Sequence, residues 1–570
     1  MLCAVLRFLY ECNVNQSFRR TLSVCVFLCA LLLVAACQAD PPTLTAPTRG
    51  DAPTARGNSS ATPEARTNAT AAAPSRNAPT AVPSPTVPPR GGSIVVAGVG
   101  APTTEITALP DFVANALYDS LLRVNPQDGA LMPGLAERWL VSDDAKTIVF
   151  ILREGVKWHD GQPLTADDVA FTLKALSDPN IRINPAADFG TLEQVTAPDA
   201  RTVSVTFRAP YCAALTYIGS LKILPQHLLQ NEALSNLAPE KLIGTGPLIL
   251  QTWQDNTLTF QANPAYWNGA PWITQWTYRA YPDERAANDA LRHGQADVAL
   301  TRTPISGAQN APAAVNAFYA LAFNTQRAPL DDVRVRQALA AALDRAPLAA
   351  DARGVPLETS LLPAFWANPG NITQPKFDAA RARQLLSDAG WHDADKDGIL
   401  DKDGKPFTVT LWAQSDDPLA MDTAQRVRAQ LHDVGAQAVL KLAERTLDLT
   451  RVFLQEFDLA IVHFNIPLDP DQNYFWTTAE AKPGYGLNVT GYTNAEVDRA
   501  IAAGNSVAQC APDARKKAYA PVWQQLATDA PMVFLFAPMQ TLDTAPRVRG
   551  LMPSPFAGAF WNLNAWSVAP

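Results

Sequence analysis

Cysteine is scarce in most of the chain. Seven cysteines occur in 570 residues, and five of them lie at or before position 37: Cys3, Cys12, Cys25, Cys29 and Cys37. A disulfide-rich scaffold is therefore excluded. The other two, Cys212 and Cys510, could pair if the protein is exported to an oxidising compartment. Their wide separation says nothing about proximity, and two buried free thiols are expected.

The sequence also lacks common signatures of a hydrolase. It contains neither a G-x-S-x-G elbow nor an H-E-x-x-H pair. Its histidines are scattered without the spacing of metal ligands: His159, His227, His293, His392, His432 and His463. A secreted hydrolase, the main alternative from another functional class, is therefore disfavoured. We expect no enzymatic activity and no cofactor.

Positive charge is not in excess. Lys and Arg total 46 against 54 Asp and Glu, which gives a formal net charge of −8. Nucleic-acid-binding proteins usually carry a strongly basic surface. Nucleic acid is therefore not expected as a partner.

The apolar run of the leader, residues 22–34, is too short to cross a bilayer comfortably. It follows Arg19 and Arg20 and ends in small residues, which is typical of an export signal. Its end, Val34-Ala35-Ala36-Cys37, is similar to a bacterial lipobox, in which a cysteine receives a lipid and becomes the new N-terminus. We expect 1–37 to be a lipoprotein signal peptide and Cys37 to anchor the protein to the membrane at the cell envelope. An ordinary signal peptide ending in an unmodified cysteine is the alternative.

Residues 38–90 contain few large apolar side chains. Ala, Thr, Pro, Ser and Asn dominate, so the segment cannot bury enough apolar surface to offset the entropy lost on ordering. We expect a disordered linker whose prolines favour an extended polyproline II conformation. The folded domain is predicted to begin at Gly91.

The body alternates strand and helix patterns. A β-branched run at 147–152 predicts a strand, and Thr165 with Asp168 three residues later predicts a capped helix start. Val169, Thr172, Leu173 and Leu176 then form one apolar face. The Trp158-His159-Asp160-Gly161 segment before this helix is expected to be a structural turn rather than a catalytic cluster. The pattern predicts α/β lobes with covered sheets.

Several stretches together resemble one known family. They are 118–122 (YDSLL), 131–139 (LMPGLAERW), 150–161 (FILREGVKWHDG), 244–247 (GTGP), 263–267 (NPAYW), 323–325 (FNT), 332–338 (DVRVRQA) and 382–391 (ARQLLSDAGW). They are similar, in order, to the family 5 extracellular solute-binding proteins, the oligopeptide-, dipeptide- and nickel-type binding lipoproteins of ABC importers.

The resemblance implies an α/β, two-lobed periplasmic-binding-protein-like fold of cluster C type, with an extra small domain inserted in the first lobe. The expected solute-binding domain is 91–570. Lobe I is placed at about 91–117, 213–315 and 510–570, the small domain at about 118–212, and lobe II at about 316–509. Two hinge strands are expected to join the lobes.

The resemblance also places the ligand between the lobes. The expected contacts come from the loop after the first strand and from two segments of lobe II; they are Glu105, Trp412, Gln414, His463, Phe464, Asn465 and Asp471. Oligopeptide-binding relatives pair the peptide termini with an arginine and an aspartate, but here Ile461 and Pro467 occupy those positions. With a shift of the loop, Asp469 or Asp471 could supply the carboxylate. The missing charges disfavour oligopeptides, because a buried charge needs a partner.

One acidic segment has the spacing of a calcium loop. Asp393, Asp395, Asp397 and Asp401 occupy positions 1, 3, 5 and 9, with Gly398 at position 6. Position 12 is a glycine rather than the bidentate glutamate. A solvated turn is therefore expected, and no metal site is predicted.

The partners implied by the resemblance are a peptide or similar polar organic solute and the permease and ATPase subunits of an ABC transporter. The chain is expected to act as a monomer. A surface receptor or peptide chaperone with the same fold and no importer is the alternative, which the sequence does not separate from transport.

Overall fold

A computed structural model describes residues 90–177 and 191–569. The leader, Cys37 and the predicted linker up to residue 89 lie outside the described residues. In chain order the strands are β1 (Ser93–Val99), β2 (Leu122–Val124), β3 (Leu131–Pro133), β4 (Ala136–Val141), β5 (Thr147–Leu152), β6 (Leu192–Asp199), β7 (Thr202–Phe207), β8 (Leu248–Gln254), β9 (Thr257–Ala262), β10 (Gln275–Tyr281), β11 (Val298–Thr301), β12 (Gln309–Ala314), β13 (Ala317–Phe323), β14 (Val355–Pro356), β15 (Asp401–Lys402), β16 (Lys405–Pro406), β17 (Thr408–Gln414), β18 (Gln437–Ala443), β19 (Leu459–Asn465), β20 (Met532–Ala537), β21 (Met539–Thr544), β22 (Val548–Arg549) and β23 (Ser567–Val568). The α-helices are α1 (Asp111–Leu117), α2 (Ala166–Leu176), α3 (Ala213–Ser220), α4 (Gln226–Leu229), α5 (Glu284–Arg292), α6 (Val333–Ala341), α7 (Arg345–Asp351), α8 (Ala379–Asp388), α9 (Pro418–His432), α10 (Arg445–Phe453), α11 (Asn473–Trp476), α12 (Ala495–Asn505) and α13 (Pro512–Asp529).

Lobe I is built on a seven-stranded mixed sheet of order β12-β21-β11-β1-β10-β9-β8. The first strand, β1, lies inside the sheet and pairs in parallel with both β10 and β11. Ile94 and Val96 belong to one apolar cluster and Ala97 to another. Because side chains alternate along a strand, both faces of this strand are covered, as its β-branched run predicted.

Lobe II is built on a six-stranded sheet of order β14-β20-β13-β19-β17-β18. Every residue of β13 is buried. Tyr319 and Leu321 point into one core cluster, whereas Phe318 and Ala320 point into the other. Helices therefore cover both faces of the sheet, and the predicted two-lobed α/β architecture is confirmed.

The small domain contains a four-stranded antiparallel sheet of order β4-β5-β7-β6, with α2 packed on it. The helix starts where the sequence predicted, because Thr165 and Asp168 form a capping box. Asp168 also accepts hydrogen bonds from the backbone of Gln226 (2.9 Å) and from the indole of Trp158 (3.4 Å). His159 bonds backbone groups of 244–246, and burial lowers its pKa to about 4. These contacts support the structural role expected for the Trp158 turn.

The chain crosses between the large sheets twice. It leaves lobe I between β12 and β13 and returns between β20 and β21, and the crossings touch where Val315 N–H donates to the Pro538 carbonyl at 2.8 Å. The predicted return near residue 510 was wrong: α13 and β20 belong to lobe II. The reason is packing, because Tyr519 and Trp523 of α13 are buried in the same core cluster as β13. Within the ranges described, no helix is long and apolar enough to span a membrane.

Candidate functional site

A cavity of about 230 Å³ lies at the junction of the lobes. Most of its wall comes from three segments: 115–124, 220–222 and 556–564. Leu468, which follows β19, is contributed by lobe II. The cavity therefore lies close to the segment after β19 that the sequence placed in the cleft.

Asp119 organises one side of this cavity. Its carboxylate accepts hydrogen bonds from the Thr245 hydroxyl, the Tyr266 hydroxyl and the Trp267 indole, each at 2.9 Å. Burial raises the pKa of Asp119, and these donors oppose the shift. The donors come from the 244–247 and 263–267 motifs, so one function of those motifs is to hold this carboxylate.

Two basic side chains line the same cavity. The Lys222 ammonium donates to the Asn115 side chain at 3.1 Å and to the Tyr118 carbonyl at 3.3 Å. The Arg123 guanidinium lies 5.9 Å from the centre of the Trp561 ring. Burial lowers the pKa of Lys222; the charges of Asp119 and Asp111 oppose this shift, and the positive charge of Arg123 adds to it. The wall thus offers cationic donors beside an aromatic surface.

The ligand contacts predicted on β19 lie outside the wall of this cavity. His463 stacks on Tyr319 with ring centroids 4.4 Å apart, and burial lowers its pKa. Phe464 packs against Phe475 in the lobe II core. Asn465 is exposed at the strand end. The roles predicted for these three residues stay predictions, although the aromatic face of Phe464 is partly engaged in packing.

The other predicted contacts are also absent from the cavity wall. On β17, Trp412 lies under the Arg451 guanidinium at 4.5 Å. Gln414 is buried, and it opposes the rise in the pKa of Asp448, to about 6, that burial causes. Glu105, before the first helix of lobe I, accepts from the Thr107 hydroxyl at 3.0 Å. Their ligand roles remain predictions.

The structure contradicts an open ligand-facing position for Asp469 and Asp471. Asp469 is fully buried and forms two bonds, of 2.6 and 2.9 Å, to the Arg515 guanidinium. Asp471 is 1% exposed and accepts from the Asn505 amide at 2.9 Å. Burial raises the pKa of Asp471 to about 6. Both carboxylates are satisfied inside the protein, so in this conformation neither is presented to a solute.

The small domain is fastened to lobe II near these carboxylates. Cys212 and Cys510 form a disulfide, so the expectation of two free thiols was wrong. Beside it, the Ala213 N–H donates to the Asn505 side chain, and the Thr216 hydroxyl donates to Asp469 at 2.7 Å. The reason for the error is tertiary packing, because the start of α3 is placed against the turn that precedes α13.

The acidic loop remains a turn with a partial ligand set. Oxygens of Asp393, Asp395 and Asp401 lie within 4.8 Å of one another. Asp397 instead accepts from the Ile399 N–H at 2.8 Å, and Asp393 accepts from the Gly398 N–H. These bonds are those of a solvated acidic turn, and the absence of calcium binding stays a prediction.

Sequence reasoning missed the cavity residues Asp119, Arg123 and Lys222. Asp119 lies inside the 118–122 motif, which served only to support the family resemblance, and Arg123 directly follows that motif. Lys222 lies between apolar residues, at 221–224, and a lone lysine in such a run is the signal that could have identified a buried cation.

Comparison with known proteins supports the same reading of the fold. The family model described as bacterial extracellular solute-binding proteins, family 5 Middle, matches residues 130–486. The oligopeptide-binding protein AppA of Bacillus subtilis is 28% identical over 515 residues, covering 85% of this chain and 92% of that protein. The structure of B. subtilis AppA with a nonapeptide matches with a TM-score of 0.66 and 25% identity, over 85% of this chain and 100% of that one. NikZ from Campylobacter jejuni with Ni(L-His) matches with a TM-score of 0.68 and 26% identity, over 83% of this chain and 99% of that one. The chain belongs to the family 5 bacterial extracellular solute-binding proteins, which bind solutes and are not enzymes.

Proposed function

We propose that this protein is the lipid-anchored substrate-binding subunit of an ABC importer. It captures a peptide or a similar polar organic solute between its lobes and delivers it to a membrane permease. Cys37 carries the lipid, and residues 38–90 form the tether. The protein works as a monomer.

The observation that carries the proposal is the cavity at the lobe junction, with Leu468 on one side and the Asp119 wall on the other. Only residues 315–316 and Pro538 connect the two large sheets along the described chain. Short paired crossings of this kind suit a hinge, since a few residues absorb the rotation. Binding then favours the closed arrangement to the extent that the solute contacts both lobes.

The disulfide limits how the cleft opens. It joins the small domain to lobe II, so this edge stays closed while the bond is intact. Opening must therefore take place elsewhere along the junction. The reason is that a covalent link between two bodies leaves only rotations that keep its ends together.

Fractionation of cells expressing the full chain tests the anchor. Wild-type protein should remain with membranes and carry a lipid on Cys37, detected by mass spectrometry of the N-terminal peptide. The Cys37→Ser variant should be released from membranes with its solute affinity unchanged. Release of the wild-type protein, or an unmodified Cys37 in mature protein, would contradict anchoring while leaving solute capture intact.

Uptake measurements test the link to an importer. Deleting the gene should abolish uptake of the solute that co-purifies with the protein, and crosslinking should capture a permease subunit. Unchanged uptake together with tight solute binding would favour a surface receptor or peptide chaperone.

A further inference from the structure

The cavity wall carries more positive than negative charge. Arg123 and Lys222 contribute two cations, and Asp119 is the carboxylate among the lining residues. Its oxygens already accept from three neutral donors. Within residues 90–177 and 191–569, neither Arg123 nor Lys222 forms a salt bridge. Two basic groups in the cavity wall therefore face a single, occupied wall carboxylate, and the charge of Asp111 acts on Lys222 from outside the wall.

Partial burial makes this imbalance costly. Lys222 is half-buried, and its contacts at Asn115 and Tyr118 are to neutral oxygens. Tyr118 is another residue of the wall, and its buried hydroxyl has no hydrogen-bond partner among the described residues. Buried cations are normally paired, and buried donors are normally bonded. An anionic group in the cavity would relieve the excess charge and could accept from both basic side chains.

We infer that the solute is a compact molecule that presents a carboxylate to Arg123 and Lys222; this rests on the proposed capture of a solute in this cavity. The planar guanidinium matches the two oxygens of a carboxylate, and the ammonium adds a third donor. The formal charge of the wall, two cations and one anion, is balanced by one negative charge. The Arg123 guanidinium lies over the Trp561 ring, 5.9 Å from its centre.

The size of the cavity sets the scale of the solute. At about 230 Å³ it lies below the range of about 300–1,000 Å³ that is usual for small-molecule sites. A short zwitterion or small organic acid therefore fits better than a long peptide. This placement also differs from the pattern expected for the family, in which an arginine after β19 binds a terminus, because the basic groups here come from lobe I and its border with the small domain.

Isothermal titration calorimetry with matched probes tests the inference. The probes are dipeptides as C-terminal free acids, the same dipeptides as C-terminal amides, N-acetylated dipeptide acids, and inorganic phosphate. We expect the free acids to bind the full mature protein roughly 10- to 100-fold more tightly than the amides, which corresponds to the loss of a charge-assisted contact. N-acetylation should leave this preference in place, and phosphate alone should bind weakly.

Variants assign the preference to the proposed residues. Arg123→Gln and Lys222→Met should each lower affinity for the free acids roughly 10-fold or more and reduce the acid-over-amide ratio. Arg123→Lys should retain part of it. Arg201→Gln, which removes a cation paired with Glu137 and Glu154 on the small domain, is the control and should change neither quantity. Melting temperatures identify any variant that fails to fold, and the conservative Arg123→Lys variant then carries the test.

Three outcomes would overturn the inference. Equal binding of acids and amides, or an unchanged ratio in Arg123→Gln, would show that no carboxylate is recognised there while solute capture still stands. Tighter binding of phosphate than of any acid would replace the carboxylate with a phosphate. Absence of binding by every probe, with no solute recovered from the purified protein, would reject solute capture itself and the inference with it.

Discussion

The Arg515–Asp469 ion pair offers the sharpest test of how α13 packs within lobe II. The two side chains are 4% and 0% exposed, and they are joined by two hydrogen bonds of 2.6 and 2.9 Å. Replacing Arg515 with Met keeps the apolar stem and removes the charge. The variant then buries the Asp469 carboxylate with only the Thr216 hydroxyl and a backbone N–H as donors.

The magnitude follows from the cost of an unpaired buried charge. Breaking such a pair from one side typically costs about 3–5 kcal/mol, so we expect Arg515→Met to lower the free energy of unfolding by about that amount at pH 7. In the wild type, Arg515 opposes burial and lowers the pKa of Asp469. The stability that the ionised Asp469 contributes is present above the pKa of Asp469 in the unfolded chain and is lost as pH falls through its pKa in the folded protein. In the variant, burial acts without Arg515 and raises the pKa of Asp469, so the variant takes up a proton as pH falls and its difference in stability from the wild type should shrink towards pH 4.

Urea unfolding followed by tryptophan fluorescence and circular dichroism measures the effect. Arg499→Met is the matched control, because Arg499 pairs with Glu496 on the surface at 70% and 56% exposure, and exposed pairs contribute about 0–1 kcal/mol. The double change Arg515→Met with Asp469→Asn should recover part of the loss. A cost for Arg515→Met no larger than that of the control, or a double variant no more stable than the single one, would refute the reasoning.

Three further predictions follow from the same region and from lobe II. Burial raises the pKa of Asp471 to about 6. The neutral carboxyl therefore adds stability that is fully present below about pH 4 and is lost as pH rises through about 6. Between these pH values the melting temperature should change less with pH in Asp471→Asn than in the wild type, and an equal slope would contradict this. Replacing Phe464 with Ala should lower the melting temperature, because its ring packs on the lobe II core; an unchanged melting temperature would contradict this packing, and weaker solute binding would support its predicted ligand role. Replacing Cys212 and Cys510 with Ser should cost about 2–4 kcal/mol of stability, and alkylation of both thiols in unreduced wild-type protein would show that the bond is absent.

Local features of the fold could be predicted from the sequence, because their determinants are adjacent in the chain. The capping box needs only Thr165 and Asp168, and the stripe from Val169 to Leu176 needs only helical spacing. The strand at 93–99 could be identified from its β-branched run. The family motifs then supplied the architecture that periodicity alone could not.

The errors concern contacts between distant segments. The pattern of α13 shows that one face is buried, but not which sheet covers it, and so its assignment to lobe I was wrong. The pairing of Cys212 with Cys510 spans 298 residues and depends on the whole fold. Asp119 meets Thr245 and Trp267 across more than a hundred residues. Spacing along the chain carries no information about contacts between segments so far apart in sequence, which is why the residues of the cavity wall were missed.

The claim that matters most is that this protein holds a solute, unchanged, in the cavity at the junction of its lobes. Native mass spectrometry of the mature chain, purified without denaturation, tests it directly. We predict a complex with one small molecule per chain, and we expect the Arg123→Gln variant to carry none. After prolonged incubation with wild-type protein, the released molecule should have an unchanged mass. A wild-type chain that carries no solute and binds none, or a recovered molecule that has been chemically converted, would contradict the account.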